Sequence, residues 1–314
     1  MAKLHSCFIV LIVLLLSMAL SCSKKETATG RHDRGTEAQG KRQVAIDSFQ
    51  RGVKALQNED YDLAVTCFDE AIRLSPEFAN AHGNRGVAYV KRGDLDKAIA
   101  DFNEAVRLHP RYTQAYSNRG GAYFNKGQFD KAIADYNEAI RLDPTYAPAY
   151  YNRGYAYSDM KEYDKAIADF TEAVRIDPKL AMAYTDRGNA YNDAGELDKA
   201  IADYNEAVRL DPDYALAYYN RGVAYNGRGE YDRAIADYTV VIQLDPNDGI
   251  TYNNRGAAYS NKGEFDQAIA DFTEAIRLAP NMPQPYLGRA KAYRSLGNEE
   301  RAAEDDRKAQ ELMK

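Results

Sequence analysis

Seven prolines stand 34 residues apart in this chain of 314 residues, and no interval between them is longer or shorter. They are Pro76, Pro110, Pro144, Pro178, Pro212, Pro246 and Pro280. A fixed period of this length indicates one small structural unit that is stacked many times. In such an array each unit contacts only its neighbours. The pattern therefore predicts a protein that acts by presenting a binding surface rather than by catalysing a reaction.

Residues 113–146 show the composition of one unit, numbered here from position 1 to position 34. Aromatic residues stand at positions 4, 11, 17 and 24, small residues at 8 and 20, and alanine at 27. Because these steps are three or four residues long, each half of the unit is expected to be an amphipathic helix. Gly127, at position 15, separates the halves, since glycine adopts a left-handed backbone at little cost. Pro144 ends the second helix because proline lacks an amide hydrogen.

The small residues predict how the two helices of a unit pack. Position 8 is glycine in seven units and position 20 is alanine in all eight. We expect the helices to approach closely at these positions, with aromatic rings from positions 4, 11 and 24 filling the space beside them. Glu59 and Lys161 replace glycine at position 15 in two units. A left-handed backbone at these residues costs roughly 1 kcal/mol each.

This spacing resembles the tetratricopeptide repeat, whose 34-residue unit is a helix–turn–helix. The resemblance implies an all-α fold, a right-handed α-solenoid of eight helix-turn-helix repeats with a concave groove lined by the first helix of each repeat. The last repeat carries a polar second helix, RAAEDDRKAQELMK, which is interpreted as a cap. The repeats span residues 45–78, 79–112, 113–146, 147–180, 181–214, 215–248, 249–282 and 283–314.

Residues 1–21 have the pattern of a signal peptide, because Lys3 precedes an apolar run of 14 residues from Cys7 to Leu20. A membrane span needs about 20 such residues. Ser21 directly before Cys22 resembles the cleavage box of bacterial lipoproteins, which implies that Cys22 becomes the lipidated, palmitate-bearing amino terminus. An ordinary secretory signal cut after Ser21 is the alternative. Ser23 in place of aspartate favours the outer membrane, by resemblance to enteric lipoproteins.

Residues 23–44 contain one valine and no other large apolar side chain, so they are predicted to be a disordered tether between Cys22 and the repeats. The expected location is the bacterial cell envelope, lipid-anchored, with the repeats in the periplasm or at the cell surface. Cys67 is then the one cysteine left in the repeats, and we expect it to be a half-buried structural thiol.

Charge and composition argue against nucleic-acid binding and against catalysis. The net charge is −6, and residues 1–44 carry seven of the 41 basic and three of the 47 acidic residues, which leaves 34 basic and 44 acidic residues in the repeats. A nucleic-acid binder would present a basic stripe. His82 and His109 stand alone without the spacing of metal ligands. We therefore expect no enzyme activity, no metal and no cofactor.

Two charged residues recur with the period. Position 7 is arginine in every repeat, and position 23 is aspartate in all repeats but the first. Both positions border the apolar stripes, so we predict a ladder of partly buried ion pairs along the solenoid. The pairs could lie within one repeat or bridge two. A row of arginines that contacts a partner is the functional alternative.

By resemblance to the family, positions 2, 5, 6, 9, 12 and 13 face the groove. They vary more here than the packing positions do and are rich in asparagine and tyrosine. An asparagine amide can donate to a peptide carbonyl and accept from a peptide N–H, so such a row could hold an extended peptide. Asparagine at position 6 could instead serve packing. The candidate groove residues are Asn118, Phe124, Asn125, Tyr151, Asn152, Tyr155, Asn189, Asn192, Tyr219, Asn220, Asn226, Asn253 and Asn254.

These observations predict an exported, lipid-anchored scaffold or adaptor that binds other proteins or extended peptides and touches the membrane through its lipid anchor alone. One alternative is a soluble secreted or periplasmic version of the same module. The other is a structural protein that self-associates end to end, because Val53, Ala55 and Leu56 of repeat 1 have no preceding cap.

Overall fold

The structure, a computed structural model, describes the backbone of residues 32–314 and the side chains from Gln39 onward. Within these residues the chain forms sixteen α-helices and no strand, which confirms the predicted fold class. The helices are α1 (His32–Gln57), α2 (Tyr61–Leu74), α3 (Ala79–Arg92), α4 (Leu95–Leu108), α5 (Thr113–Asn125), α6 (Phe129–Leu142), α7 (Ala147–Asp159), α8 (Tyr163–Ile176), α9 (Ala181–Asp193), α10 (Leu197–Leu210), α11 (Ala215–Gly227), α12 (Tyr231–Leu244), α13 (Gly249–Lys262), α14 (Phe265–Leu278), α15 (Pro283–Ser295) and α16 (Glu299–Leu312).

The predicted signal peptide, Cys22 and residues 23–31 lie outside the described residues. Helix α1 already begins at His32, so the prediction of a disordered segment up to Val44 is wrong for residues 32–44. Side chains 39–44 are exposed and bury nothing, but a helix nucleated by repeat 1 gains one hydrogen bond for each residue it adds. Among residues 32–314, no helix combines the length and apolar character that crossing a bilayer requires.

Each repeat forms two helices that a tight turn joins at position 15. The backbone is left-handed at this position in all eight repeats, with a φ of 70° at Gly127, 60° at Glu59 and 62° at Lys161. The expectation that Glu59 and Lys161 adopt a strained conformation is therefore confirmed. The second helix ends two residues before the period's proline, as predicted from its missing amide hydrogen.

The chain divides into two compact units, Met1–Met160 and Lys161–Lys314. The first contains α1 to α7 and the second contains α8 to α16, so the two helices of repeat 4 belong to different units. Within each unit the second helix of one repeat packs against the first helix of the next, and successive first helices contact each other. Side-by-side first helices therefore form a continuous face in each unit.

The core repeats with the same period as the sequence. Ala132 and Tyr136, at positions 20 and 24 of repeat 3, form one cluster with Ala156, at position 10 of repeat 4. Alanine is buried at position 10 in repeats 2 to 8, a core position that the sequence analysis did not identify. Among the tyrosines at positions 4 and 11, expected to fill the core, Tyr225 and Tyr286 are buried, whereas the others are half-buried, with a cation above the ring in most repeats.

Glycine at position 8 makes room for the aromatic ring at position 24 as well as for the backbone of the second helix. A Cβ atom added to Gly120 would lie 2.7 Å from the Tyr136 ring and 3.1 Å from the Ala132 carbonyl oxygen. The aromatic side chain at position 24 therefore lies directly over this glycine. The same contact occurs in repeats 1, 2, 5, 6 and 7.

The arginine at position 7 joins three parts of the stack. Arg119 donates from Nε and Nη2 to Asp135 of its own repeat, at 2.8 and 2.6 Å, and from Nη1 to Asn103 of the preceding repeat, at 2.8 Å. Its guanidinium also lies 5.2 Å from the centre of the Tyr116 ring. We call this arrangement the arginine clamp. The bidentate pair recurs in Arg85–Asp101, Arg187–Asp203, Arg221–Asp237, Arg255–Asp271 and Arg289–Asp305.

The arginine clamp confirms the predicted ion-pair ladder and resolves its geometry. The bidentate pairs lie within a repeat, while the third hydrogen bond reaches back to position 25 of the repeat before. Repeat 1 has Cys67 where the others have aspartate, and this thiol is free and buried, more deeply than the half-buried thiol expected from the sequence.

The two ends of the repeat array differ from the sequence-based expectation in one respect. Helix α16 buries Ala302, Asp305 and Ala309 and exposes most of its other side chains, as expected for a cap. In repeat 1, however, Ala55 lies in a core cluster with Phe68, and Val53 and Leu56 pack against that cluster. These residues are therefore not an uncovered end face, and the reason for expecting end-to-end stacking is removed.

Two adjacent glycines in α5 should respond oppositely to alanine. Gly120→Ala forces its new methyl group into the Tyr136 ring and should lower the stability by about 1–3 kcal/mol. Gly121→Ala meets only the Tyr136 hydroxyl at 3.9 Å and should raise stability by up to about 1 kcal/mol through helix propensity. Urea denaturation followed by circular dichroism measures both. Equal effects of the two substitutions would contradict the assigned packing.

Removing one half of an arginine clamp should cost more than removing both. Arg119→Met leaves the buried Asp135 carboxylate without its partner and should destabilise the protein by about 3 kcal/mol. Arg119→Met combined with Asp135→Leu should recover a large part of that loss, because no unpaired charge remains. The denaturation midpoints of the two variants measure this difference. Equal losses of stability in both variants would argue against pairing.

Candidate functional site

The first helices of successive repeats present the candidate site. We call the surface formed by their positions 2, 5, 6, 9, 12 and 13 the first-helix face, and describe it separately for each unit. Twelve of the thirteen predicted groove residues are at least partly exposed there. The exception is Tyr151, which is 4% exposed, so the prediction that its ring faces a partner is wrong.

Position 5 is buried in repeats 2 to 5, and in repeats 2 and 5 it contacts the linker residue at position 34 of the same repeat. A Cβ atom on Gly83 would come within 3.1 Å of Tyr112, and Tyr214 is hydrogen-bonded to Thr185. Burial raises the pKa of Tyr112 to about 12, which keeps its hydroxyl protonated. In repeats 2 and 5 the residue at position 5 therefore packs against the linker. The sequence at position 5 varies between repeats, which led to the incorrect prediction that it faces the groove.

In the first unit the face combines aromatic edges with amides. Phe124 makes edge-on contacts with Tyr155 of the next repeat, at 5.6 Å between ring centres, and with Phe129, at 5.5 Å. The Asn152 amide donates to the Ser117 hydroxyl at 3.4 Å. Asn118 is half-buried and Asn125 is exposed. The structure thus places Phe124 and Tyr155 together, with polar side chains around them.

In the second unit the asparagines are linked into a hydrogen-bonded network. Asn189 Oδ1 accepts from the Tyr204 hydroxyl and from Asn220 Nδ2, both at 2.9 Å. One repeat further along, Asn254 Nδ2 donates to the Tyr219 hydroxyl at 2.9 Å, and Asn253 donates to Asn254 at 3.2 Å. The Asn220 and Asn254 bonds cross from one repeat to the next. The predicted asparagine row is brought together, but Asn220 and Asn254 each already use one amide hydrogen to join repeats.

Burial controls the chemistry of this network. It raises the pKa of Tyr204 far above its ordinary value, and the neighbouring carboxylates of Asp193, Asp186 and Asp203 raise it further. The hydroxyl therefore remains a hydrogen-bond donor to Asn189 at any physiological pH. Asn192 makes a 3.4 Å contact with Asp193, and no described residue forms a hydrogen bond with the buried Asn226 Oδ1.

Sequence reasoning missed exposed apolar side chains on this face. Leu216 and Val223 on α11 are 41% and 40% exposed, and Ile250 on α13 is 46% exposed. They occupy positions 2 and 9, which the family resemblance assigns to the groove. An apolar residue at a groove position was the available signal in the sequence, whereas the predicted groove residues were mostly asparagine and tyrosine. Leu216, Val223 and Ile250 are called the apolar patch below.

The part of the chain that the structure describes contains no group of three or more His, Cys, Asp or Glu side chains able to hold a metal ion. His82 is buried and alone, with Nε2 3.0 Å from the Pro76 carbonyl oxygen and Nδ1 3.5 Å from Asp101. The arginines at position 7 are mostly buried in clamps, so the alternative of a partner-binding arginine row loses its support in repeats 2, 3 and 5 to 8.

Removing the shared acceptor of the network should weaken the fold. Asn189→Ala deprives the Tyr204 hydroxyl of its partner and should destabilise the protein by about 1–3 kcal/mol, since a buried donor is left unsatisfied. Asn192→Ala, with only a long surface contact, should cost less than about 0.5 kcal/mol. Adding Tyr204→Phe to Asn189→Ala should restore part of the loss in a denaturation experiment. If Asn189→Ala is no more harmful than Asn192→Ala, the network has no structural role.

Protein-family models of the same repeat match several segments of the chain. A TPR repeat model matches residues 120–161 and 188–227. One tetratricopeptide repeat model matches residues 49–113, and another matches 147–180, 215–248 and 250–282. A comparison with curated protein sequences found no match.

Solved structures share the fold. A tetratricopeptide repeat protein from Parabacteroides merdae aligns with a TM-score of 0.56 and 23% identity over 74% of this chain and 93% of its own. PilF of Pseudomonas aeruginosa aligns with a TM-score of 0.60 and 17% identity over 66% and 94%. YrrB, described as a TPR protein with an unusual peptide-binding site, aligns with a TM-score of 0.52 and 23% identity over 59% and 95%. With its eight helical hairpins and these matches, the chain belongs to the tetratricopeptide repeat family, whose members are typically non-catalytic scaffolds.

Proposed function

We propose that this protein is an exported, lipid-anchored scaffold that binds protein partners on its first-helix face and carries out no chemistry of its own. The apolar patch is the observation that carries the proposal. Its three side chains lie on first helices of neighbouring repeats, while the buried side chains behind them are closely packed. Grouped exposed apolar side chains typically mark an interaction site. The peptide-binding site described for YrrB supports the same role.

The first-helix face of the first unit supports the proposal independently. Phe124 and Tyr155 present half-exposed ring edges next to the exposed Asn125. Aromatic side chains contribute large contact areas at interfaces, and a tyrosine hydroxyl adds a hydrogen bond. In this unit the aromatic rings would therefore contact the partner, and the polar side chains around them would add hydrogen bonds.

A photo-activated cross-linker placed at Tyr155 or Val223 tests binding in cells. The matched control is Asp266, which is exposed on the second helix α14. We expect discrete cross-linked products from Tyr155 and Val223 that are absent at Asp266. The same products at all three positions, or none at Tyr155 and Val223, would overturn the proposed role of the first-helix face.

The lipid anchor rests on the sequence around Cys22. The apolar run up to Leu20 and the small Ser21 before Cys22 resemble a lipoprotein cleavage box, and Ser23 favours delivery to the outer membrane. Residues 23–31 and the start of α1, whose residues 39–44 are exposed, would then separate the repeats from the membrane. A single acyl chain binds membranes only marginally, so a multiply acylated cysteine would give stable attachment.

Metabolic labelling with palmitate in a bacterial host tests the anchor. Wild-type protein should incorporate the label and sediment with membranes, whereas Cys22→Ala should lose the label and become soluble. Cys67→Ala is the control and should keep both properties, because Cys67 is buried in repeat 1. Unlabelled wild-type protein in the soluble fraction would instead support the soluble secreted alternative.

A further inference from the structure

Helix α12 differs from the other second helices at positions 26 and 29 of the repeat. In repeats 1 to 5 and 7 these positions hold a glutamate and an arginine that form an ion pair at the surface, as Glu206 and Arg209 do in α10. Repeat 8 carries the pair in reverse order, as a lysine and a glutamate. In α12 the same positions are Val240 and Gln243, so repeat 6 alone has no charge there.

These replacements create an uncharged stripe along α12. Ala236, Val240 and Leu244 follow at intervals of four residues, which places them on one side of the helix. Ala236 is exposed, Val240 is half-buried and Leu244 is 41% exposed, whereas the residue at the position of Leu244 is half-buried in the other seven repeats. The exposed Gln243 lies beside them. We call Ala236, Val240, Gln243 and Leu244 the α12 stripe.

Packing inside the chain does not require apolar side chains in the α12 stripe. The helix packs against its own chain through other side chains, which are Ala234, Asp237, Tyr238, Val241 and Ile242. Six other repeats keep the same fold with glutamate and arginine at positions 26 and 29. Apolar side chains grouped on a surface typically mark an interaction site. The α12 stripe therefore has the character of a contact surface for another molecule.

The α12 stripe is complementary to itself when its direction is reversed. The small Ala236 lies one turn before Val240, and the larger Leu244 lies one turn after it. When a second α12 runs in the opposite direction, Leu244 of each copy lies against Ala236 of the other, and the two Val240 side chains meet. Rows of side chains four residues apart commonly interdigitate between packed helices, and large residues opposite small ones fill the space between them. A surface that fits itself in this way forms a two-fold symmetric interface.

The charges at the two ends of the stripe favour the same antiparallel arrangement. Arg233, three residues before Ala236, is 65% exposed, and the exposed Asp245 directly follows Leu244. An antiparallel pair brings Arg233 of each copy towards Asp245 of the other, whereas a parallel pair would bring like charges together. Asp232 is already paired with Lys262 of its own chain at 2.7 Å, so it adds little repulsion.

We propose that α12 is the contact surface of a homodimer, in which the α12 stripes of two copies pack antiparallel about a two-fold axis. The stripe itself carries no charge to attract a strongly charged partner. A stable interface covers roughly 800 Å² on each partner, and a stripe on one helix covers less, so this dimer is weak. Because the stripe lies on a second helix, the first-helix face of both copies stays free. The dimer therefore presents two such faces, which adds avidity for a partner with repeated binding segments.

Sedimentation of the purified protein tests the dimer. The chain carries Cys22→Ala, which removes the proposed acylation site and leaves every described residue unchanged. Between about 0.01 and 1 mM it should pass from monomer towards dimer, as expected for a small interface. A monomer at every concentration in this range would overturn the proposal.

Restoring the ion pair of the other repeats should abolish the association without disturbing the fold. Val240→Glu with Gln243→Arg leaves the net charge unchanged and should weaken dimerisation at least about tenfold, because charges replace the apolar centre of the interface. The matched control is Glu206→Arg with Arg209→Glu on α10, which reverses a pair in the order that repeat 8 already has. The control should dimerise as the parent chain does, and circular dichroism shows that both variants are folded. Equal losses in the two variants would contradict the role of the α12 stripe.

Disulfide trapping tests the direction of the helices. A chain whose three cysteines are replaced by alanine receives Ala236→Cys or Leu244→Cys. A disulfide needs Cβ atoms about 3.5–4.5 Å apart, so each variant alone should form few cross-linked dimers and the mixture of the two should form many. Val240→Cys should cross-link with itself. Cross-linking of the Ala236→Cys and Leu244→Cys variants each with itself, but not with the other, would indicate parallel packing and overturn the arrangement.

A different occupant of the α12 stripe has its own signature. If the chain stays monomeric in sedimentation and a photo-activated cross-linker at Val240 gives a product with another protein in cells, the stripe binds that protein and the homodimer is wrong. None of the dimer variants changes the first-helix face, so a failure of this inference leaves the cross-links expected at Tyr155 and Val223 unaffected.

Discussion

The arginine clamp is the interaction on which the other features of this structure depend. A guanidinium group carries five N–H donors in a rigid plane, and here they are directed to an aspartate in the same repeat and to a side chain of the repeat before it. The bidentate pair ties the first helix to the second, while the third bond aligns the hairpin with its predecessor. Lysine, with a compact ammonium group, could not make the three bonds in this geometry. Because an unpaired buried charge is costly, the clamp permits few other arrangements of the helices.

A fixed first helix gives each repeat a defined outward face, and the residues there divide into two kinds. Asn189, Asn220 and Tyr204 are bonded to one another across repeats and hold the surface in shape. Leu216, Val223 and Ile250 have no such partners and remain exposed. A surface that is already ordered loses little conformational entropy on binding, which favours recognition of extended segments. Specificity would then come from the exposed side chains and the charges beside them.

The period alone predicted the hairpins, the left-handed turns at Glu59 and Lys161, and the arginine–aspartate pairs, because each of these follows from local geometry repeated every 34 residues. Burial was harder to predict where it depends on the neighbouring repeat. Alanine at position 10 is core because it meets the ring at position 24 of the repeat before it, and Tyr151 is buried although position 5 was expected to face the groove. The asparagine donors could not be assigned from sequence, since their partners stand 31 to 35 residues away. The one sign in the sequence that Leu216 and Ile250 are exposed was that each is an apolar residue at a position assigned to the groove.

Hydrogen exchange at the arginine Nε–H groups, followed by NMR spectroscopy, tests the arginine clamp most directly. Arg119, Arg187 and Arg221 have side chains 15–16% exposed, whereas Arg107 and Arg141 form surface pairs at 66–67% exposure. If the clamp holds the repeats in register, the Nε–H groups of the first three exchange much more slowly than those of the other two. Equally fast exchange at all five would show that the guanidinium groups are not held by their aspartates, and the account of the first-helix face would fail with them.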